Sequence, residues 1–115
     1  MLHTFRRIEL NKIELIVDSH LDLAANALQL RRNLVLPVDE VRKSDSDKVR
    51  REFGTCTVTF PELRKGRIGI LFATVMSRLD ADSSFAGTGM RTQEQCYGIG
   101  KGHLAYYLGL ERLGI

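Results

Sequence analysis

The sequence predicts an α/β chain built on a parallel sheet, and three observations carry that prediction. Short apolar runs rich in branched residues, at 13–17 and 68–76, read as strands. The residues between them read mostly as helices, and strands alternating with helices favour parallel pairing. The closing segment, 92–113, reads as helix again. Two firm strands are too few for a closed barrel or a complete doubly wound sheet. The chain stops at Leu113-Gly114-Ile115, where a further strand is due, so residues 1–115 are expected to be a single partial domain that begins a larger fold.

The elements follow in order. In the first run Glu14 is the only interruption among Ile13, Leu15, Ile16 and Val17, the pattern of a strand buried on most of both faces. It ends in a polar cluster, Asp18-Ser19-His20-Leu21-Asp22. Residues 23–30 are good helix formers and make about two turns. Residues 31–43 carry a weak pattern, and Pro37 argues for loop there. Ser46 is placed to cap a helix over 47–53 that Gly54 ends, with Val49 and Phe53 on one face. Residues 55–60 are short and β-rich. Pro61 opens a helix that Gly66 closes. The run from Ile68 to Met76 is the most apolar of the chain, a central strand in which Gly69 suggests close approach by a neighbouring backbone. Residues 80–89 read as loop. The last helix shows Leu104, Tyr107, Leu108 and Leu110, weakened by Gly98, Gly100, Gly102 and Gly109 at about 1 kcal/mol each.

Composition narrows the class of protein. Apolar residues are 43% and charged residues 27% of the chain, which excludes a disordered chain, a collagen-like repeat and a coiled coil. Seventeen basic against fourteen acidic side chains leave a net charge of only +3. The basic residues fall in scattered pairs (Arg6-Arg7, Arg31-Arg32, Arg50-Arg51, Arg64-Lys65) with acidic neighbours and no interleaved aromatics. They read as solvated surface charge, with no nucleic acid as partner. No apolar run approaches the ~20 residues of a membrane span, and no apolar leader follows the basic N-terminus. Cys56 and Cys96 form no Cys-x-x-Cys pair. Reduced thiols in a cytoplasmic protein, with no membrane partner, are the expectation.

His20 and Asp22 are the main chemical signal. Side chains at i and i+2 of an extended backbone share a face, so imidazole and carboxylate converge, and both ligate zinc at ~2.0–2.2 Å. They follow the first strand, and the carboxyl ends of strands carry the sites of barrel enzymes. Asp18 adds a third polar group and is read as pointing away from the pair. The alternative is a polar loop in which Asp22 merely caps the helix at Leu23. His103 and His3 have no second ligand beside them and read as partly exposed structural histidines. Gly98-Ile99-Gly100-Lys101-Gly102 lacks the pattern of a phosphate loop and reads as close helix packing through small residues. Cys96 reads as a buried structural thiol.

Two blocks of the chain resemble one family. Val17-Asp18-Ser19-His20-Leu21-Asp22-Leu23 resembles the first-strand motif of the membrane (renal) dipeptidase family of zinc peptidases. The stretch from Phe60 to Phe72 resembles that family's approach to the second barrel strand, through Pro61, Leu63, Arg64, Gly66, Gly69 and Phe72. The blocks agree with the family in order and separation and span roughly half the chain.

The resemblance implies the N-terminal portion of a (β/α)8 TIM barrel of metal-dependent hydrolase type, its first two strand–helix units. It implies a metallopeptidase whose two-zinc centre hydrolyses the peptide bond of dipeptides, with His20 and Asp22 binding one zinc. The bridging glutamate, two further histidines and a downstream aspartate come from later strands in that family and have no counterpart here. This chain alone is therefore expected to be inactive, a fragment of the enzyme with no assignable catalytic residue. The alternative is a truncated, non-catalytic interaction protein, and self-association through an exposed strand edge is expected in either case.

Overall fold

The computed structural model describes residues 16–79 and 89–115. Among them the architecture is a small mixed α/β domain. Strands β1 (Ile16–Leu21) and β2 (Ile68–Ala73) pair in parallel, Ile16 opposite Ile68 and Leu21 opposite Ala73. Between them lie four short helices: α1 (Leu23–Leu28), α2 (Val38–Ser44), α3 (Asp47–Phe53) and α4 (Phe60–Lys65). After β2 come the two-residue strands β3 (Arg78–Leu79) and β4 (Gly89–Met90), also parallel, and the 20-residue helix α5 (Gln93–Arg112). Residues 13–15, His3 and positions 80–88 of the expected loop lie outside the described residues.

Helix boundaries follow their caps. The Ser46 hydroxyl accepts a hydrogen bond from Val49 N–H, and Gly54, at φ 74°, ends α3 in a conformation that side-chain-bearing residues rarely adopt. Proline in the first turn opens α4, and Gly66 closes it. Thr92 and Gln95 form a reciprocal capping box at the start of α5, which runs unbroken through its glycines.

Five expectations need correction. Strand β1 does not stop before the polar cluster but includes all of it except Asp22, because parallel pairing holds the backbone as far as Leu21, whose carbonyl also accepts from Thr74 N–H. Nor are the strands buried on both faces: Val17 is 53% and Phe72 61% exposed. One face carries Leu21, Leu71 and Ala73 onto the core of Leu23, Leu34, Val41 and Cys56, and the other is open among the described residues. Residues 38–44 form helix α2 rather than loop. Pro37 is its N-cap, acidic Asp39 and Glu40 fill its first turn, basic Arg42 and Lys43 its last, and the fully buried Val41 anchors it. Residues 55–59 enter no sheet. Cys56 and Thr59 are buried, and the segment is held by Arg42 Nε donating to the Cys56 carbonyl and by Phe60 N–H donating to that of Leu34. In α5, among the described residues, only a Cβ at Gly100 would meet a neighbour, Val75, at 3.6 Å, whereas at Gly98, Gly102 and Gly109 it would meet none. Among those residues, packing through small residues is thus confined to one position.

The expectation of solvated surface charge also fails at one residue. Arg32 is 5% exposed, and its guanidinium grips Asp45 (8% exposed) at 2.8 Å through Nη2 and 3.1–3.2 Å through Nε. Its Nη1 donates to Asn26 Oδ1 at 2.8 Å, and Nη2 also reaches the Gly54 carbonyl at 2.6 Å. One side chain thus joins α1, α2 and the end of α3.

Candidate functional site

Asp22 stands immediately after β1, and Thr74 immediately after β2. Parallel pairing therefore brings both to the carboxyl end of the sheet, where Thr74 Oγ1 donates to Asp22 Oδ1 at 2.5 Å. His20, two residues earlier on β1, places Nε2 3.2 Å from the same carboxylate oxygen. The two side chains are 68% and 40% exposed, so the pair opens to solvent. Asp22 is also the N-cap residue of α1, yet its side chain makes no cap hydrogen bond, which leaves the carboxylate to His20 and Thr74.

Asp18 is two residues from His20 and four from Asp22, an even offset, so its spacing does not turn it away from the pair as expected. Its Oδ1 accepts from the His20 backbone N–H at 2.9 Å, so it braces the strand beside the pair. Among the described residues no group of three or more His, Cys, Asp or Glu is placed to hold a metal ion.

Helix α5 locks the site from behind. Tyr107 Oη accepts from Ala24 N–H at 2.9 Å and donates to the Thr74 carbonyl at 2.8 Å, tying the start of α1 to the end of β2. Burial and, to a smaller extent, the Asp22 carboxylate push the phenol pKa up, while the Ala24 N–H opposes them. The group stays an O–H donor across the physiological range. Sequence reasoning saw Tyr107 only as part of an apolar stripe. The available signal for Thr74 was its position: it follows the second apolar strand as Asp22 follows the first.

His103 is buried at 1% exposure, not partly exposed, because α5 packs it under the turn after β2. Its Nδ1 accepts from Met76 N–H at 3.4 Å, while Nε2 is buried with no partner among the described residues. Cys96 is half-buried and Cys56 buried, and both are free thiols.

Two cavities flank the pair. One of about 260 Å³ is lined by His20 and Asp22 with residues 55–58, and one of about 230 Å³ lies between α1 and the turn after β2. Asp22, Asn26 and Phe53 line both. No helix among the described residues is long and apolar enough to cross a membrane. No protein-family model, curated protein or solved structure matches the chain.

Proposed function

We propose that the chain carries the first part of a zinc centre of the metallodipeptidase type, with His20 and Asp22 as ligands and a dipeptide as substrate of the whole enzyme. The observation that supports this most is the convergence of His20 Nε2 and Asp22 Oδ1, 3.2 Å apart, at the carboxyl end of a parallel strand pair. Two donors each ~2.0–2.2 Å from a tetrahedral ion stand about 3.3 Å apart, so the spacing fits one zinc. Thr74 fits as the orienting neighbour that ligating carboxylates commonly have. A two-metal centre of this kind polarises the scissile carbonyl and lowers the pKa of the attacking water. Among the described residues the chain supplies two donors and their bracing and no third ligand, so on this reading it takes zinc loosely and hydrolyses no dipeptide by itself.

The test is zinc titration of the 115-residue chain followed by the imidazole resonances of its histidines. Weak saturable binding that shifts His20, and is lost in the His20→Ala, Asp22→Ala double variant, is the expected result. Tight binding that survives the double variant, or dipeptide turnover that His20→Ala abolishes, would overturn the assignment as stated.

A second reading, a self-associating non-catalytic interaction protein, is favoured by one observation. Val17, Ile70 and Phe72 are 47–61% exposed on the sheet, and β2 pairs only with β1 among the described residues. Parallel sheets are ordinarily covered on both faces, and a free apolar edge is a template for pairing. Sedimentation should show concentration-dependent size that Phe72→Lys suppresses; a monomer at all concentrations would count against this reading.

A further inference from the structure

Helix α5 turns a second face outward, away from the one that carries His103 and Leu110 into the fold. Tyr97, Lys101, Leu104, Leu108 and Glu111 follow one another at steps of 4, 3, 4 and 3 residues, the spacing of a coiled-coil seam. All five are exposed, Tyr97 at 69% and the two leucines at 44% each. Ala105 and Gly98 flank the seam, and even a Cβ added at Gly98 would meet nothing within 4 Å. Nothing bulky there holds a second helix away. Lys101 lies over the Tyr97 ring, 5.9 Å from its centre. Neither Lys101 nor Glu111 makes an ion pair among the described residues.

The seam is complementary to itself in one direction only. In a two-fold antiparallel pair, Leu104 of each helix meets Leu108 of the other. Lys101 stands three residues before Leu104 and Glu111 three residues after Leu108, so the same register sets Lys101 against Glu111 at both ends. A parallel pair would set Lys101 against Lys101 and Glu111 against Glu111, and facing like charges are costly. Antiparallel pairing alone covers the leucines and satisfies both charges.

We propose that this face of α5 binds a second copy of the chain, the two helices lying antiparallel with Leu104 on Leu108 and Lys101 paired to Glu111. The proposal goes beyond both readings above, since it needs no metal and uses none of the exposed residues of the sheet. From Lys101 to Glu111 the contact spans about 15 Å, half of the ~30 Å length of the helix. An interface of that length falls below the ~1,200 Å² of the smallest stable ones, so the dimer is weak and exchanges readily. Its charged ends fix direction and register, and its leucines supply the attraction.

Sedimentation equilibrium of the full 115-residue chain over a wide concentration range measures the dimer. Lys101→Glu and Glu111→Lys each place like charges at both ends of the pair, and each should weaken association about tenfold or more. Joined in one chain, the two reversals restore opposite charges, so the double variant should associate as the unaltered chain does. The two single variants mixed in equal amounts should also recover association, as a heterodimer. Both side chains are exposed, so helical circular dichroism should stay unchanged and separate lost pairing from lost folding. A parallel pair already opposes like charges and would not be weakened by either single reversal. A monomer at every concentration overturns the proposal, and so does association that the single reversals leave intact. If Phe72→Lys removes that intact association, the sheet is the contact and the helix is not. Loss in each single variant, with recovery in the double variant and in the mixture, supports the proposal whatever Phe72→Lys does.

Discussion

Arg32→Ala should remove a large share of the fold's stability. Removing one member of a buried ion pair costs about 3–5 kcal/mol, because the other charge stays buried without its partner. Here the orphan is Asp45, whose side chain is 3% exposed. The same change strips Asn26 Oδ1 and the Gly54 carbonyl of their donors, so α1, α2 and the end of α3 lose their common link. A small domain has only about 5–15 kcal/mol in total, and this one starts from a modest core. Urea denaturation followed by helical circular dichroism measures the effect. A midpoint within error of the unaltered chain would show that the pair contributes no net stability. The apolar double replacement Arg32→Met, Asp45→Leu should recover much of the loss, since exchanging both charges for packed side chains is often neutral or better.

This arginine shows where sequence reading stopped. Arg31 and Arg32 look alike in the sequence, but Arg31 is exposed at φ 60° and Arg32 is buried. The difference is made by Asp45, thirteen residues later, on the far side of a helix that Pro37 seemed to forbid. Proline's effect depends on position: at an N-cap it removes no helical hydrogen bond, and a periodicity search over seven residues cannot distinguish that from a break. Where a local signal was sufficient, the reading agrees with the fold, as at Ser46, Gly54, Gly66 and the first six residues of the apolar run, which become β2, whereas Thr74 to Met76 leave the strand. The candidate site was legible to the same extent. The i, i+2 spacing of His20 and Asp22 brings them to 3.2 Å, while Thr74 and Tyr107 arrive through pairing across 52 and 83 residues. The burial of His103 was likewise invisible, because it depends on how α5 lies against the turn after β2 rather than on its neighbours in sequence.

His103 makes the fold acid-sensitive, and the direction follows from its surroundings. Burial holds its pKa below the ordinary value, and the Asp22 carboxylate offsets this only in part. With Nδ1 accepting from Met76 N–H, the ring carries its proton on Nε2, which has no acceptor among the described residues. A second proton would have to go onto Nδ1. It would break the bond to Met76 and leave a charged ring under α5 with two unpaired N–H groups. The unfolded chain takes up that proton near pH 6.5, and the folded chain only at lower pH. The histidine's contribution is therefore fully present above about pH 6.5 and is lost as the pH falls from there toward the folded value. Within that interval the slope is at most about 1.4 kcal/mol per pH unit, and below it the loss levels off. Stability measured by urea denaturation from pH 7.5 to 5 should fall along this curve. His103→Gln cannot titrate, so it should lose the histidine's share of the slope while costing some stability at pH 7.5 through its imperfect fit. If the variant and the unaltered chain lose stability in parallel as the pH falls, the acid sensitivity belongs to the carboxylates and His103 is a passive part of the core.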